Sequence, residues 1–333
     1  MTYAESQHDA ALGAFLGACV GDAAGAPLEF IGRQPDPDEV SAALHMKGGG
    51  IWKVAPGQIT DDCELALSLA RGLAQSPSYS RDKIAEQYAA WVDSKPFDIG
   101  TTTIKSLGCF RDPHWLQVCQ KEGFAAGMSQ AAQDRCMESK ANGSLMRSAP
   151  LGIWGHQLPV DELAEKARQD SKLSHPNSSC QDAVACYTIA IARLVANPGN
   201  AQLAFQTANT WATENANPEV QSWLYGAETG ERVPFYPMDG FVRIGFTHAF
   251  RHLYNQTPFQ EALSETLEGG GDTDTNACIV GGLLGALWGA SSIPSFMKDP
   301  VLECDTTQGR PRPDFLHPRQ VPTLVQIFLQ QSE

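Results

Sequence analysis

Two short acidic segments carry the clearest chemistry in this chain. The first is Thr60-Asp61-Asp62, and the second, more than 200 residues later, is Asp272-Thr273-Asp274-Thr275. Each joins a threonine hydroxyl to paired carboxylates at a point where a loop is predicted to enter a helix. Carboxylates packed closely together repel one another unless they are protonated or neutralised by cations. Their hard oxygen donors favour Mg²⁺, Mn²⁺ or Ca²⁺ over Zn²⁺.

Either segment alone could be only a helix cap. Ser, Thr and Asp are preferred N-cap residues, and an aspartate in the first turn suits the helix dipole. Two such segments, each flanked by glycine and followed by an apolar helix, favour a bipartite metal site instead. That site requires one domain built from both ends of the chain.

Three further segments offer groups that could face a ligand. Asn142-Gly143-Ser144-Leu145-Met146-Arg147 is predicted to open a helix, where free N–H groups and a hydroxyl suit a phosphate or ribose oxygen. Residues 96–103 form another candidate loop, and His175 directly precedes a predicted helix. The polar residues of segments 142–147 and 96–103 could be ordinary helix caps. A lone histidine is more often structural, unless it shares the acidic cleft.

The elements that must position these groups are predicted to be helices. Apolar residues recur at helical spacing, as in Leu65, Leu69 and Leu73, and no convincing run of alternating β-branched residues occurs. These features predict an all-α fold. The predicted helices cover about residues 6–21, the stretch beginning at 61, 81–93, 124–138, 143–153, 160–169, 178–196, 201–214, 240–255, 257–268 and 275–290.

Two glycine-rich features stand beside the acidic segments. Residues 33–58 are predicted to be irregular and contain Gly48-Gly49-Gly50; a loop of this length in a compact chain is usually functional or mobile. After the second acidic segment, Gly281, Gly285 and Gly289 lie four residues apart. This spacing predicts a groove for a closely packed neighbouring helix.

No linker divides the chain, so we expect a single compact domain over residues 1–333. Its core is expected at about residues 8–292, and residues 293–333 are expected to wrap around the surface. The proline-rich stretch 300–320 is predicted to be an ordered loop, closed by a short apolar segment at 321–329.

The composition of the chain limits the partners that are expected and the expected cellular location. The net charge of −14 provides no basic stripe, so nucleic acid is an unlikely partner, while a small anionic ligand remains possible. The longest apolar run, residues 277–290, is too short to span a bilayer, and the polar N-terminus lacks a signal-peptide layout. No membrane association is therefore expected.

Nine cysteines are scattered without any C-x-x-C pair, which argues against a zinc finger or a disulfide framework. Several lie on apolar helical faces, where a buried free thiol is expected. Free thiols suit a reducing compartment, so a cytoplasmic location is predicted.

Together and in this order, these segments resemble the ADP-ribosylglycohydrolase family over about residues 10–290. The two acidic segments and Asn142-Gly143-Ser144-Leu145-Met146-Arg147 are the most specific features. Order and spacing are added by Gly17-Ala18-Cys19-Val20-Gly21-Asp22-Ala23 leading to Glu29, by Asp98-Ile99-Gly100-Thr101-Thr102-Thr103, and by His175. The resemblance implies an orthogonal all-α multi-helix domain with a centre of two Mg²⁺ or Mn²⁺ ions.

Residue roles follow from the same resemblance. It implies metal ligands at Thr60, Asp61, Asp62, Asp272, Asp274 and Thr275, and catalytic roles for Glu29, Asp62 and Asp272. It implies contacts with the ribose and diphosphate from Gly100, Thr102, Asn142, Gly143, Ser144, Met146 and His175. Cys63 departs from the family pattern, which commonly has threonine there; a thiol hydrogen-bonds more weakly, so the surroundings of the metal are expected to differ.

The resemblance favours a hydrolase that releases ADP-ribose from an ADP-ribosylated protein, with arginine as the first choice of acceptor. ADP-ribosyl-serine, O-acetyl-ADP-ribose and modified nucleic acid ends remain alternative substrates. Different classes are an inactive ADP-ribose-binding or structural relative and a metal-dependent phosphohydrolase. Because the chain keeps all four aspartates with Thr60, Thr275 and Glu29, an active enzyme is the favoured interpretation.

Overall fold

Helices account for nearly all the regular structure of the chain. The computed structural model describes residues 2–76, 78–236 and 238–331. Within these ranges no strand forms, and the only β-type pairings are the isolated bridges Gly49 to Val54 and Ala141 to Phe241. The predicted all-α fold is confirmed.

Eight helices precede residue 160: α1 (Tyr3–Gly25), α2 (Pro37–Leu44), α3 (Asp61–Ala74), α4 (Arg81–Asp93), α5 (Thr101–Leu107), α6 (Pro113–Glu122), α7 (Phe124–Arg135) and α8 (Ala149–Trp154). Nine more follow in the described part of the chain: α9 (Val160–Ser171), α10 (Ser178–Ala196), α11 (Ala201–Asn215), α12 (Pro218–Glu228), α13 (Val242–Asn255), α14 (Phe259–Glu268), α15 (Thr273–Trp288), α16 (Ser295–Leu302) and α17 (Val321–Gln330).

The centre of the fold is the pair α1 and α15, which cross at glycines. A Cβ atom on Gly17 would lie 2.2 Å from the carbonyl oxygen of Gly281, and one on Gly285 would lie 2.0 Å from that of Gly13. The backbones therefore touch, and no larger residue fits at these positions. The groove expected on α15 is real, and α1 fills it. This contact joins the two ends of the chain.

α1 is also the helix that most resembles a membrane span. The stretch Tyr3–Leu28 is long and apolar enough to cross a bilayer by length and composition, which the sequence analysis had not noted. In this fold 89% of the apolar window is buried inside the protein. A central core helix accounts for its composition.

Several helices begin at prolines, one of them inside the stretch that was predicted to be irregular. α2, α6 and α12 each start at proline, at Pro37, Pro113 and Pro218. Proline suits the first helical position because that residue needs no N–H donor. The stretch 33–58 was therefore wrongly predicted to be irregular throughout. Two other helices that the sequence analysis did not place are α5 and α16.

The predicted helix over residues 143–153 is wrong at its start. Residues 142–147 form successive turns, and α8 begins only at Ala149. The turns are held from outside, because Asn142 N donates to the carbonyl of Gly240 at 3.0 Å and Val242 N donates to that of Lys140 at 2.9 Å. Inside the segment Asn142 O also accepts from Leu145 N at 2.8 Å and Met146 N at 3.1 Å, so local turns and a tertiary pairing together fix its shape.

The end of the chain returns to the core. α17 buries Val321, Val325 and Phe328, and packs against α1, α3 and α8. The predicted short apolar segment at 321–329 is thus a helix. The division into a core at 8–292 and a wrap at 293–333 stays a prediction.

Candidate functional site

The two acidic segments meet at the starts of α3 and α15. Thr60 Oγ1 lies 3.0 Å from Asp62 Oδ2 and 3.4 Å from Asp274 Oδ2, a residue 214 positions later in the chain. All the carboxylates of both segments are buried, with Asp61 and Asp272 the least so at 8% exposure. The packing of α1 against α15 and α3 places these distant segments in one space.

Helix capping does not explain the two segments. Thr60 and Asp272 occupy the N-cap positions of α3 and α15, yet neither side chain accepts a hydrogen bond from its own helix. Thr275, which could have been the cap of α15, lies inside the first turn. The side chains at these two helix starts are therefore directed into the site.

A residue from α1 takes over the capping of α3. The carboxylate of Asp22 accepts hydrogen bonds from Thr60 N at 2.9 Å, Thr60 Oγ1 at 3.0 Å and Cys63 N at 3.0 Å. Burial raises the pKa of Asp22 to about 7, although these donors oppose the shift. Sequence reasoning missed this residue; the available signal was a lone carboxylate inside an apolar helical run.

Asp274 also belongs to a second group of carboxylates, together with Glu29 and Asp98. Single oxygens of Glu29, Asp98 and Asp274 lie within 4.8 Å of one another. Asp98 lies in the candidate loop at residues 96–103 but is not among the predicted site residues. The signal that could have identified it was a carboxylate next to glycine and a run of threonines that begins a helix.

Burial and mutual repulsion favour protonation of these groups. Burial raises the pKa of Glu29 to about 8, with a further rise from the charge of Asp98 and an opposing hydrogen bond from Trp52. Burial and then Asp272 raise the pKa of Asp98 to about 6. The pKa values of Asp61, Asp62 and Asp274 are raised by burial first and by neighbouring carboxylates second.

The donor set fits a hard divalent cation. Asp62 Oδ1 is buried without any hydrogen-bond partner, an expensive state for a carboxylate oxygen unless something else binds it. Its neighbours are carboxylate and hydroxyl oxygens, the ligands that Mg²⁺ and Mn²⁺ prefer. An arrangement of carboxylates this dense is expected to bind cations.

A cavity of about 290 Å³ opens above the carboxylates. Its lining includes most of the residues predicted for the site: Glu29, Asp61, Gly100, Thr102, Asn142, Gly143, Met146, His175, Asp272, Asp274 and Thr275. Thr60, Asp62 and Ser144 do not line it. The first two lie beneath Asp274, and Ser144 is fully buried with its hydroxyl 3.0 Å from Ser171 Oγ.

Asn142 and Gly143 in the cavity wall set the positions of the Asp272 carboxylate and the His175 imidazole. Asn142 Nδ2 donates to Asp272 Oδ2 at 2.7 Å. A Cβ atom on Gly143 would lie 2.9 Å from the His175 ring, so the ring can approach only because residue 143 is glycine. Burial and the charge of Arg147 lower the pKa of His175 to about 3, so its imidazole is neutral.

The mouth of the cavity holds residues that the sequence analysis did not select. Phe30 and Asp239 line it together with Asp98. Phe30 is 54% exposed and adopts a left-handed backbone with φ of 54°, which is uncommon for an aromatic residue. No sequence pattern marks this conformation.

Cys63, the expected departure from the family pattern, contacts Cys278, and its side chain also helps to lower the pKa of Asp22, which burial raises. Its Sγ lies 3.7 Å from Cys278 Sγ, which in turn lies 3.4 Å from the carbonyl oxygen of Met146. Burial raises the pKa of Cys63 well above its usual value, so the thiol stays protonated. All nine cysteines are free and buried, more than the several for which burial was predicted.

The carboxylates make stability depend on pH when divalent ions are absent. The folded-state pKa of Glu29, about 8, and that of Asp22, about 7, lie above their unfolded values, so the folded state holds more protons. Stability from these groups is complete at low pH and is lost as the pH rises through the folded pKa values. We expect the melting temperature in EDTA to fall as the pH rises from above the ordinary pKa values of 3.8 and 4.5 to about pH 8.

Differential scanning fluorimetry with a Glu29→Gln variant isolates this effect. The variant has no proton to release at this position, so its melting temperature should fall less steeply over the same interval. Histidines and cysteines are common to both proteins and cancel in the comparison. Added Mg²⁺ or Mn²⁺ should flatten the wild-type profile. Parallel profiles in EDTA for the two proteins would contradict the raised pKa of Glu29.

Comparison with known proteins identifies the family of this chain. A profile of the ADP-ribosylglycohydrolase family matches residues 4–322. An ADP-ribosyl-[dinitrogen reductase] glycohydrolase of Rhodospirillum rubrum is 30% identical over 87% of this chain and 89% of its own length. A putative ADP-ribosyl glycohydrolase, L543, of Acanthamoeba polyphaga mimivirus is 29% identical over 89% and 91%.

Two further similarities extend the comparison. An ADP-ribosylarginine hydrolase, Tri1, of Pseudomonas putida is 28% identical over 87% of this chain and 73% of its own length. A solved structure described as an ADP-ribosylglycohydrolase-related protein complex superposes with a TM-score of 0.74 over 99% of this chain and all of that one, at 23% identity, which supports the fold. With the family profile spanning almost the whole chain, the protein belongs to the ADP-ribosylglycohydrolase family and is a glycohydrolase.

Proposed function

We propose that this enzyme is a metal-dependent hydrolase that removes ADP-ribose from ADP-ribosylated arginine in proteins. The observation that carries the proposal is the carboxylate cluster beneath a single cavity, with the buried Asp62 Oδ1 unpaired. Relatives named for ADP-ribosyl-[dinitrogen reductase] and for ADP-ribosylarginine support the class of acceptor. The expected partner is thus an ADP-ribosylated protein, and the product is ADP-ribose.

Two Mg²⁺ or Mn²⁺ ions would be held by the oxygens of Thr60, Asp61, Asp62, Asp272, Asp274 and Thr275. Such ions, when bound, supply positive charge that polarises oxygen ligands and makes a water molecule more acidic. The fit rests on the hard donors of both helix starts, which share the space between Thr60 and Asp274.

The chain's own groups move the protons. Cleavage of a ribosyl bond develops positive charge at the anomeric carbon, while the leaving nitrogen or oxygen gains electrons. Glu29, whose pKa is raised to about 8 by burial first, can hold a proton at neutral pH and deliver it to the leaving group. Asp272, which lines the cavity, is proposed to accept the proton of the attacking water, and Asp62, which lies beneath Asp274, is proposed to stabilise the developing charge.

The walls of the cavity are proposed to bind the ADP-ribose. Asn142 holds Asp272 in place by its hydrogen bond, while Gly143 and Met146 form the adjacent surface. The neutral imidazole of His175 can donate or accept a hydrogen bond without adding charge. Gly100 and Thr102 also line the cavity. We assign Ser144 an indirect role, because its hydroxyl contacts Ser171 rather than the cavity.

The charge at the cavity mouth favours arginine as the acceptor. Asp98 and Asp239 both line the cavity, and the described residues that line it include no lysine or arginine. A guanidinium leaving group is cationic, so these carboxylates complement it electrostatically. A serine acceptor brings no positive charge and gains nothing from them.

A direct assay distinguishes this proposal from its rivals. The protein is incubated with ADP-ribosyl-arginine peptide, ADP-ribosyl-serine peptide or O-acetyl-ADP-ribose, in Mg²⁺, Mn²⁺ or EDTA. Mass spectrometry should find intact ADP-ribose from the arginine peptide, and none in EDTA. Release of phosphate or AMP would indicate a phosphohydrolase, binding without turnover would indicate an inactive relative, and full activity in EDTA would remove the metal dependence.

The nine free buried cysteines agree with a reducing compartment. We therefore keep the cytoplasm as the proposed location of the enzyme. The net charge of −14 also keeps nucleic acid an unlikely acceptor.

A further inference from the structure

The end of the chain reaches the active site through a segment that we call the C-terminal strap, residues 305–312. It meets the glycine-rich loop that precedes α3. Neither segment has a role in the chemistry proposed above. The strap contacts the loop, and the loop contacts Glu29 through Trp52, so the contacts can be followed from the strap to the carboxylates.

A tight turn in the loop brings Trp52 to Glu29. Gly49 and Val54 pair through two backbone hydrogen bonds of 2.9 and 3.0 Å. Gly50, with φ of +68°, lies so close to Pro27 that a Cβ atom would be 2.6 Å from the proline Cα. The turn is thus seated on the residue two positions before Glu29, with Trp52 within it.

Trp52 contacts the carboxylate of Glu29 and the residue next to Asp98. Its indole Nε1 donates to Glu29 Oε2 at 2.6 Å. Its ring centroid is 6.0 Å from that of Phe97, the residue next to Asp98. Glu29 and Asp98 are two members of the group whose oxygens lie within 4.8 Å. Displacement of Trp52 would therefore disturb both.

The strap holds Trp52 from behind. Arg310 Nε donates to the carbonyl oxygen of Trp52 at 2.5 Å, and its guanidinium lies 5.8 Å from the centre of the Phe97 ring. Gln58 locks the strap to the loop, because its side chain accepts from Arg310 N at 3.0 Å and donates to Arg310 O at 2.5 Å. The backbones touch at Gly309, where a Cβ atom would lie 2.2 Å from Ala55 N.

The end of the strap is anchored to the first turn of α3. Arg312 makes a bidentate pair with Glu64 at 2.6 and 2.8 Å, with side chains 5% and 2% exposed. The same guanidinium donates to the carbonyl oxygens of Ser94 at 2.9 Å and Lys95 at 3.2 Å. These residues begin the loop that leads to Asp98. The strap is therefore attached both to the first turn of α3, which carries Asp61, and to the loop that carries Asp98.

We propose that Trp52 and Arg310 are positioning residues of the active site. Arg310 holds Trp52 through its carbonyl, and the Trp52 N–H fixes the carboxylate of Glu29 over Asp274, while Phe97 steadies Asp98. An alternative in which the tryptophan only fills space predicts that its ring matters and its N–H does not. The kinetic test of this inference rests on the proposed function. A second test, the affinity for Mn²⁺, requires only that the site binds a cation.

The experiment compares matched single variants. Trp52→Phe removes the N–H and keeps an aromatic ring; Trp288→Phe makes the same change at an exposed tryptophan whose N–H donates to Thr257 O at 2.8 Å. Arg310→Ala and Arg310→Lys are compared with Arg319→Ala, an arginine beyond the strap that pairs with Asp314. Melting temperature, kcat, KM and Mn²⁺ affinity by electron paramagnetic resonance titration are measured.

Trp52→Phe is expected to lower kcat about tenfold or more, since partners that orient such groups have effects of that size. KM for ADP-ribosyl-arginine peptide should stay within about twofold, and Mn²⁺ should bind several-fold more weakly. Arg310→Ala should act in the same direction, and Arg310→Lys should recover part of the loss. Trp288→Phe and Arg319→Ala should match wild type.

Two outcomes overturn the inference. One is normal kcat and Mn²⁺ affinity in Trp52→Phe, which would leave the tryptophan with a space-filling role only. The other is a loss of kcat and Mn²⁺ affinity that a lower melting temperature, and thus general destabilisation, explains entirely. A wild-type protein that hydrolyses no ADP-ribosyl conjugate would refute the proposed function instead. In that case weaker Mn²⁺ binding by Trp52→Phe would still support the positioning role.

Discussion

Replacing Asp61 by Asn is expected to lower kcat/KM by about a thousandfold or more while the protein stays folded. Asp61 lines the cavity, and its pKa is raised by burial first and by Asp98 and Asp62 second. The amide keeps the shape of the side chain but removes the negative charge that a divalent cation needs. Steady-state kinetics with ADP-ribosyl-arginine peptide at saturating Mn²⁺ measures the loss.

The same variant separates a functional charge from a structural one. Without cations, the amide relieves repulsion among buried carboxylates, so the melting temperature in EDTA should equal or exceed that of wild type. Asp161→Asn is the matched control, because Asp161 also lies in the first turn of a helix but is exposed. Activity of Asp61→Asn within about tenfold of wild type would remove Asp61 from the proposed metal site.

Replacing Arg147 by Met is expected to cost about 3–5 kcal/mol of folding free energy, which for a chain of this size lowers the melting temperature on the order of 10 °C. Arg147 and Asp170 form an ion pair at 3.1 Å with both side chains fully buried. Arg147 also donates to Ser174 Oγ at 2.8 Å. Methionine fills similar space but leaves the Asp170 carboxylate without its cation.

A graded pair of variants checks the cause. Tyr88→Phe removes one hydrogen bond to Asp170, of 2.7 Å, and should cost about 1 kcal/mol in urea unfolding. Arg232→Met, at a side chain 73% exposed, should change stability by less than about 0.5 kcal/mol. If Arg147→Met were as stable as Arg232→Met, the buried ion pair would not be what holds this part of the core.

The link from Arg147 to the cavity runs through its neighbours. Its guanidinium contacts Ser174, whose hydroxyl lies 2.8 Å from His175 Nδ1, and the carbonyl oxygen of Gly143 lies 3.3 Å from its Nη1. The last residue of the Asn142–Arg147 segment is therefore a support beneath the cavity wall. The sequence predicts a helix start for this segment, whereas it forms turns whose first residue, Asn142, is paired with the distant Gly240.

Helix content was predictable because it follows from local spacing of apolar residues. The helix predicted at 178–196 matches α10, and 81–93 matches α4. Helices that begin at proline were missed, although Pro37 follows Asp36, whose side chain accepts from Glu39 N at 2.9 Å in a capping box. That signal was present in the sequence and was outweighed by the density of prolines and glycines in the stretch.

By itself the sequence determined the kind of chemistry available: two acidic helix starts with hard oxygen donors, and a glycine groove on α15. The tertiary structure alone decided which groups share the cavity. Asp22 caps α3 from α1, Asp98 joins Glu29 and Asp274, and Arg310 supports Trp52 across 258 positions of the chain. Spacing along a helix is a local property, whereas contacts between residues this far apart arise only when the glycine faces of α1 and α15 bring the two ends of the chain together.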